Sequence, residues 1–382
     1  MEEKIDLEKF KKHPPANRFI EALFKQKVNK SCFGRTGIFL RTLNQPRINL
    51  VCLKSYAFRG IPNECIGLRV IIWRILLNYL PAETNTWDDF LQHKQKEYKE
   101  LCEKYKLPIL TKQLLRYTTI TPELELAKGI KIDMKRTKQE IEFFSMAPLV
   151  SIEESKEQIG EMKDDKYDFL YDNKETHRLV ISRILYVYAN TNAGMGYIQG
   201  MNEMIAVIYY CFYNDSSEEL KAYAESDTYF CFSNLMFELK DLYFKEKEKI
   251  ASGLKGKIEK ISEVLKRIEP KYWSYLESIK IDMLLLTMRW IMLIFAQDLP
   301  ITSTIRLWDS ILGDSERFLF FDYLIVQLFI ELKEKMSELE FYELARQLNE
   351  NLKSMQLKKL LKNTGNMLAK DLKKDQYIGE HY

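Results

Sequence analysis

Two short stretches of this chain contain polar residues whose types and spacing could serve phosphoryl-transfer chemistry. The first, Ile130–Arg136, has the pattern I-x-x-D-x-x-R and offers an arginine, Arg136. The second, Tyr197–Gly200, has the pattern Y-x-Q-G and offers a glutamine, Gln199. Arginine can neutralise charge on a transferred phosphoryl group, and glutamine can orient the attacking water. The pair therefore predicts a protein that acts on GTP bound by another protein.

Each of these residues has a simpler interpretation when it is considered alone. Asp133 and Arg136 have the three-residue spacing of an ion pair within a helix, and Arg136 could equally pair with Glu140. Gln199 precedes an apolar run, where a glutamine often serves only as a helix cap. A binding role is favoured by three glycines that let the nearby backbone approach a ligand closely. These glycines are Gly194, Gly196 and Gly200.

Sequence patterns for self-contained catalysis are missing. The chain has no G-x-x-x-x-G-K-[ST] loop to hold a nucleotide, no G-x-S-x-G nucleophile turn and no H-E-x-x-H zinc motif. The six cysteines contain no C-x-x-C pair and, with the four histidines, show no zinc-ligand spacing. We therefore expect that the chain has no cofactor or metal ion of its own and that its cysteines are buried free thiols. The cysteines are Cys32, Cys52, Cys65, Cys102, Cys211 and Cys231.

Composition favours a large helical protein. Of the 382 residues, 46% are hydrophobic, whereas the chain breakers are scarce, at 14 glycines and 10 prolines. Long apolar runs with few breakers are typical of helices rather than of strands joined by turns. We predict an all-α protein whose two lobes share one contiguous core.

Charge and hydropathy argue against two further classes. The net charge is only +3, whereas nucleic-acid-binding proteins usually have a larger or more concentrated basic excess. The N-terminus has no apolar signal segment. The most apolar stretch, Met283 to Ala296, is too short to span a bilayer and has Arg289 in its middle. We expect a cytoplasmic chain without a transmembrane segment, which reaches membranes only peripherally through its partners.

Helices and a glycine-rich break should position the two motifs. We predict a helical segment from Ile130 to Phe144, a long acidic loop at 148–173 and a helix from Glu175 to Asn190. Glycines end that last helix. The almost wholly apolar run Met201–Phe212 then predicts a central buried helix. Gln199 would stand in the tight connection before it, where its side chain can be held rigidly.

The remaining segments are predicted from the same periodicity and breaker signals. Cys32 to Phe58 looks irregular because it contains glycines and a proline. Arg59 to Leu80 should form a long helix with Pro62 in its first turn. Ile281 to Gln297 should be the most buried helix. Further helices are expected at Phe19–Phe24, Trp87–Tyr105, 217–246, Phe318–Lys335 and beyond Glu340.

In their order along the chain, these motifs resemble those of the TBC domain, the Tre-2/Bub2/Cdc16 domain of Rab GTPase-activating proteins. The resemblance extends from about Phe58 to beyond residue 340 and comprises five blocks. Each block is weak alone, but the five in order are specific. The blocks are Arg59–Pro62 with Leu68, Arg69 and Trp73; Ile130–Arg136; Tyr197–Asn202; Arg289, Trp290 and Phe295; and Arg306–Asp309.

The resemblance implies a two-lobed helical TBC fold and a division of the chain into three parts. Residues 58–345 would form the TBC domain, including a polar insertion at about 148–173. Residues 1–57 would be an N-terminal extension with a short helix and an irregular segment. Residues 346–382 would form a C-terminal helical tail that completes the second lobe.

The resemblance also implies roles for the polar residues of the motifs. Arg136 would enter the nucleotide site of a GTPase as an arginine finger, and Gln199 would orient the attacking water as a glutamine finger. Asp133 would support Arg136, and Tyr197 would pack or hydrogen-bond near the loop. The supporting residues implied in this way are Asp133, Tyr197, Gly200, Arg306 and Asp309.

The partner implied by the resemblance is a Rab-family small GTPase in its GTP-bound state. That partner would bind both GTP and Mg²⁺, so this chain would need no cofactor. Faster hydrolysis would regulate vesicle trafficking, with the chain transiently at endomembranes. The alternative is a non-catalytic Rab-binding adaptor or scaffold on the same fold. The presence of both finger residues favours the catalytic alternative.

Overall fold

The computed structural model consists almost entirely of helices. Within its described part, a short antiparallel sheet pairs β1 (Lys4–Asp6) with β2 (Lys27–Asn29), and all other regular structure is helical. The prediction of an all-α protein is confirmed. The predicted loop at 148–173 lies outside the described residues from position 150 onward. The structure describes residues 4–11, 13–110, 120–149, 174–214, 216–243, 253–336 and 356–372.

Sixteen α-helices occur in the described ranges, together with short 3₁₀ turns. In chain order they are α1 (Arg18–Phe24), α2 (Lys30–Leu43), α3 (Leu50–Phe58), α4 (Leu68–Leu76), α5 (Trp87–Lys104), α6 (Pro122–Arg136), α7 (His177–Thr191), α8 (Met201–Asn214), α9 (Glu218–Lys221), α10 (Ala224–Tyr243), α11 (Leu254–Ile268), α12 (Pro270–Ser278), α13 (Met283–Leu293), α14 (Ile301–Gly313), α15 (Leu319–Met336) and α16 (Leu357–Leu372).

The segment from Cys32 to Phe58, predicted to be irregular, is mostly helical, so that prediction is wrong. It contains most of α2 and all of α3. Gly34 and Gly37 lie inside α2, where each weakens the helix by about 1 kcal/mol relative to alanine. Burial of one apolar face outweighs this cost, at about 1.5–3 kcal/mol for each large apolar side chain. The buried apolar side chains of α2 are Phe39, Leu40 and Leu43.

The long helix predicted from Arg59 to Leu80 is shorter, because its first part is held in another conformation. The helix α4 begins only after Gly67, which has a left-handed backbone (φ +85°). The preceding chain is fixed by a contact that local sequence does not show: the buried carboxylate of Asp309 accepts the backbone N–H of Ile61 at 2.9 Å. Pro62 therefore precedes the helix and is not in its first turn.

The predicted helical segment Ile130–Phe144 is divided after Arg136. The helix α6 begins with Pro122 in its first turn, and the side chain of Thr121 accepts the N–H of Leu124 at 3.4 Å. It ends at Arg136 because Thr137 is extended and Lys138 adopts φ +43°. Arg136 is thus the last residue of a helix rather than a residue in the middle of one.

The helices on either side of Gln199 agree with the prediction. The helix α7 is capped by Thr176, whose hydroxyl accepts the N–H of Leu179 at 3.3 Å. The helix α8 is buried over nearly its whole length. The predicted helix at 217–246 is instead two helices in its described part, α9 and α10. The predictions around α1, α5 and α15 are confirmed to within a few residues.

The helix α13 differs from its prediction in length and in burial. It ends at Leu293 because Ile294 and Phe295 both adopt left-handed backbone conformations, with φ of +47° and +58°. It was expected to be the most buried helix, but one face is open to solvent, and α8 is buried more completely. The exposed apolar residues of α13 are Leu284, Leu285 and Met288.

Helix packing divides the described chain into two lobes with a common core. In the first lobe, α7 packs against α5, α6, α8 and α10. In the second, α15 packs against α11 and α16. The helix α14 contacts α3, α4 and α8 on one side and α15 and α16 on the other, so it joins the lobes. The buried apolar side chains of both lobes form one continuous cluster.

Among the described residues, no helix combines the length and apolarity needed to cross a membrane. No disulfide joins any of the six cysteines in this part of the chain, and four of the six are buried.

Candidate functional site

Arg136 is exposed at the C-terminal end of α6. Neither of the ion pairs that the sequence allows is formed, and within the described residues its guanidinium has no hydrogen-bond or ion-pair partner. The carboxylate of Asp133, three residues earlier, is engaged elsewhere. The arginine can therefore reach a partner without first breaking a contact of its own.

Gln199 is exposed in the turn between α7 and α8. Its neighbour Gly200 has φ +104°, a conformation that residues with a Cβ rarely adopt. A Cβ at this position would lie 2.7 Å from Cδ2 of Leu293, at the end of α13. Glycine is thus required at this place in the Y-x-Q-G pattern, and the close packing of Leu293 holds the turn that carries Gln199.

A hydrogen bond joins the two motifs directly. The phenol of Tyr197 donates to Oδ2 of Asp133 at 2.7 Å. The phenol oxygen of Tyr197 also lies 3.2 Å from Oδ1 of Asn202. A phenol has only one proton to donate, so it donates to Asp133, the nearer acceptor. Burial raises the pKa of Tyr197 well above its ordinary value, and the adjacent Asp133 carboxylate raises it further. Tyr197 therefore remains a neutral donor at any physiological pH.

Asn202 and Thr137 add a second path between the motifs. Oδ1 of Asn202 accepts the backbone N–H of Gly200 at 3.0 Å, and Nδ2 of Asn202 donates to the hydroxyl oxygen of Thr137 at 2.8 Å. The Thr137 hydroxyl donates in turn to the backbone carbonyl of Asp133 at 2.9 Å. The last turn of α6 and the glutamine turn thus form one hydrogen-bonded unit.

Arg178 of α7 caps the helix that carries Arg136. Its Nη1 donates to the carbonyl oxygens of Met134 and Thr137 at 2.6 and 2.5 Å. These carbonyls belong to the open C-terminal end of α6, where a positive charge also interacts favourably with the helix dipole. The cap fixes the backbone on both sides of Arg136.

Sequence reasoning missed three of these supporting residues. Thr137 directly follows one motif, Asn202 lies two residues after Gly200 of the other, and burial distinguishes both from loop residues. A polar residue that lies close to a motif and is predicted to be buried can therefore be identified as a candidate for a supporting role. Arg178 offers no comparable signal, because its contact depends on how α7 crosses α6.

Arg306 and Asp309, predicted to have supporting roles, hold the N-terminal part of the fold. The buried carboxylate of Asp309 accepts from Nε of Arg69 at 3.1 Å and from Nε1 of Trp73 at 2.8 Å, in addition to the N–H of Ile61. Nη1 of Arg306 donates to the Ser310 hydroxyl at 2.8 Å. The contacts of Asp309 explain why the first and last blocks of the pattern occur together: they form one buried polar cluster.

A cavity of about 390 Å³ lies between α6 and α7. Neither Arg136 nor Gln199 is among its described lining residues, which include Lys131, Lys135 and Arg178. No group of three or more His, Cys, Asp or Glu residues in the described ranges could hold a metal ion. The arrangement presents an arginine and a glutamine on the protein surface, where a macromolecular ligand can meet them.

Comparison with protein families matches residues 151–339 to the family model of the Rab-GTPase-TBC domain. That range contains Gln199, Arg306 and Asp309, and it begins after Arg136.

Two curated proteins illustrate the similarity in sequence. "TBC1 domain family member 13" of Mus musculus is 29% identical over 366 residues, which covers 81% of this chain and 91% of that protein. "GTPase-activating protein gyp1" of Schizosaccharomyces pombe is 24% identical over 80% of this chain and 54% of that protein.

Two solved structures have the same fold. The Ypt/Rab-GAP domain of Gyp1p matches with a TM-score of 0.66 at 19% identity, over 94% of this chain and all of that chain. The Chlamydomonas flagellar RabGAP TBC domain matches with a TM-score of 0.54 at 16% identity, over 83% and 84% of the two chains. The predicted two-lobed helical TBC fold is confirmed.

Proposed function

This chain carries a Rab-GTPase-TBC domain, and from this we propose that it accelerates GTP hydrolysis by a Rab-family small GTPase, with Arg136 and Gln199 acting in trans. One observation carries the proposal: both side chains are exposed and have no hydrogen-bond or ion-pair partner among the described residues, while the backbone segments that carry them are joined by hydrogen bonds.

Arg136 acts as the arginine finger. Its planar guanidinium offers several N–H donors in a fixed fork, which can bridge phosphoryl oxygens as negative charge develops on them. In related systems, an arginine supplied in trans accelerates hydrolysis by about 10³–10⁵-fold. Because the arginine forms no ion pair with any described residue, little of this gain is lost in breaking such a pair.

Gln199 acts as the glutamine finger and takes the place of the GTPase's own glutamine. Its amide has both a carbonyl acceptor and an N–H₂ donor, so it can hold the attacking water while contacting the γ-phosphoryl group. The partner binds GTP and Mg²⁺. Positioning of this kind depends on accurate placement of the side chain, and the packed glycine at 200 supports such placement.

The wider assignments follow from this proposal. The chain acts wherever its GTP-bound partner lies, at endomembranes, and so regulates vesicle trafficking as a peripheral protein. Residues 58–345 form the TBC domain, residues 1–57 an N-terminal extension, and residues 346–382 complete the second lobe. Packing of α16 against α15 supports the last assignment.

The deciding experiment is a single-turnover hydrolysis screen over a full panel of GTP-loaded Rab proteins. At least one Rab should be hydrolysed faster with this chain, and Arg136→Ala should reduce the stimulated rate by about 10³-fold or more. Arg136→Lys should fail too, since a point charge does not reproduce the fork. Gln199→Ala should also abolish most of the stimulation.

The control is Arg47→Ala, which removes an arginine whose side chain is 80% exposed and which belongs to neither motif. It should keep the wild-type rate. Acceleration that survives both alanine substitutions at Arg136 and Gln199 would show that the fingers are wrongly assigned. GTP-dependent binding without acceleration would indicate the non-catalytic adaptor instead.

A further inference from the structure

The backbone immediately after the arginine is held in an unfavourable conformation. Lys138, two residues after Arg136, has φ +43°. For a residue with a Cβ, this left-handed region is disfavoured, and such a conformation persists only where the surroundings impose it. The surroundings of Lys138 therefore help to determine where α6 ends, directly after Arg136.

The ammonium group of Lys138 is buried and has two partners. The residue is only 5% exposed. Its Nζ donates to the carbonyl oxygen of Ala296 at 2.5 Å and lies 3.6 Å from Oε2 of Glu203. A buried cation is tolerated only when it is paired and hydrogen-bonded. The lysine thus has a strong preference for this one position.

Both partners belong to the elements that hold the glutamine. Glu203 is in the first turn of α8, and its backbone N–H donates to the carbonyl of Gly200 at 3.0 Å. Ala296 lies three residues after Leu293, the residue that packs against Gly200. The side chain of Lys138 therefore contacts both the start of α8 and the segment after α13, and the Gln199 turn is packed between these two elements.

We propose that Lys138 is a positioning residue, which fixes the separation and relative orientation of Arg136 and Gln199 through Glu203 and the carbonyl of Ala296. This inference rests on the proposed function. The contact is separate from the hydrogen bonds of Tyr197 with Asp133 and of Asn202 with Thr137, and it reaches α8 and the segment after α13. Lys138 itself touches neither the nucleotide nor the GTPase in this assignment.

The test compares variants that remove the ammonium group in different ways. Lys138→Met keeps the length of the side chain, and Lys138→Gly removes it while leaving a residue that accepts φ +43° without strain. Both should fold, and both should lower the maximal stimulated rate about 10- to 100-fold, the scale expected for a displacement of about 1 Å. The Rab concentration at half-maximal rate should change less than about twofold. Lys128→Met, which replaces a lysine of α6 that belongs to neither motif, is the control.

A variant at the other end of the contact checks the route of the effect. Glu203→Gln should also lower the maximal rate, and the Lys138→Met/Glu203→Gln double variant should be no slower than Lys138→Met alone, because one contact is lost in both. Folded Lys138 variants with the wild-type maximal rate would overturn the inference, and so would fully additive losses in the double variant.

Hydrogen exchange separates this inference from the proposed function. Amides of residues 197–203 should exchange faster in Lys138→Met and Lys138→Gly than in the wild type, with no GTPase present. Unchanged exchange there would overturn the inference. If the wild type accelerates hydrolysis by no Rab, the proposed function fails, and the exchange result still decides whether Lys138 fixes the glutamine turn.

Discussion

The hydroxyl of Tyr197 donates a 2.7 Å hydrogen bond to the carboxylate of Asp133, 64 positions earlier in the chain. Asp133 has the right spacing for an ion pair with Arg136, yet its carboxylate binds the tyrosine instead. The D-x-x-R pattern is therefore not an ion pair within the helix. The aspartate belongs to the connection between the motifs, and the arginine is left exposed for a partner.

Removal of the Tyr197 hydroxyl should impair both stability and catalysis. In Tyr197→Phe, loss of one hydrogen bond to a charged acceptor should lower the free energy of unfolding by about 1.5–3 kcal/mol. The maximal stimulated rate of GTP hydrolysis should fall about tenfold or more, because α6 and the glutamine turn lose their direct connection. Chemical denaturation and single-turnover kinetics measure the two effects.

The matched control is Tyr56→Phe. Tyr56 is partly buried and contributes a ring contact with Phe39, at 6.0 Å between ring centroids. Its substitution should leave the stimulated rate unchanged. Equal rates in Tyr197→Phe and Tyr56→Phe would show that the hydrogen bond to Asp133 does not position the fingers.

Gly200→Ala should disrupt the glutamine turn. The new Cβ would lie 2.7 Å from Cδ2 of Leu293, and φ +104° is strained for alanine, so either the turn or α13 must move. We expect the free energy of unfolding to fall by about 1–3 kcal/mol and most of the stimulated activity to be lost. Gly194→Ala is the control, because nothing lies within 4 Å of a Cβ there. Comparable loss in both variants would argue against a specific packing requirement at Gly200.

The sequence was sufficient to locate the candidate fingers and some of the residues that hold them, such as Asp133 and Tyr197, but not all of them. Arg136 and Gln199 lie in short patterns whose order along the chain is specific. Lys138 lies two residues from one pattern, but a left-handed backbone and a buried ion pair with Glu203 arise from tertiary contacts. Local sequence preferences predict neither the left-handed backbone nor the ion pair.

Errors in the predicted helices have the same origin. Glycines and a proline predicted an irregular segment before Phe58, but burial of apolar side chains made α2 and α3 stable there. Apolar content predicted a long helix at Arg59, but the Asp309 carboxylate binds the backbone of Ile61 and keeps that segment out of the helix. In both places, contacts with residues distant in sequence outweighed local preference.

Asp309→Asn should destabilise the whole domain. The variant leaves the guanidinium of Arg69 buried without its anionic partner, a change that costs about 3–5 kcal/mol when a buried ion pair loses one member. Asp88→Asn is the matched control, because the pair between Arg18 and Asp88 is exposed, and such pairs contribute at most about 1 kcal/mol. Denaturant unfolding of the two variants gives the comparison. Similar small losses in both would contradict a structural role for Asp309.

Acid should weaken the lobe that carries Arg136 through one buried histidine. His177 is the first residue of α7, beside the Arg178 cap, and its ring stacks on Phe143 at 4.0 Å while Nδ1 lies 2.8 Å from the Tyr209 hydroxyl. Burial lowers the pKa of His177 from its ordinary 6.5 to about 4. The folded state therefore keeps the ring neutral at a pH where the unfolded chain binds a proton.

The sign of the pH dependence follows from this difference in proton binding. Between pH 6.5 and about 4 the unfolded state binds more protons at this site, so the free energy of unfolding falls as the pH falls. The slope is about 1.4 kcal/mol per pH unit, or about 2 kcal/mol between pH 6.5 and pH 5.

His177→Gln should be less stable at pH 7 but should lose about 2 kcal/mol less than the wild type between pH 6.5 and pH 5. His93→Gln, which replaces an exposed histidine and keeps His177, should retain the wild-type slope. Urea denaturation at both pH values measures these differences, and parallel slopes in the wild type and His177→Gln would rule out His177 as their source.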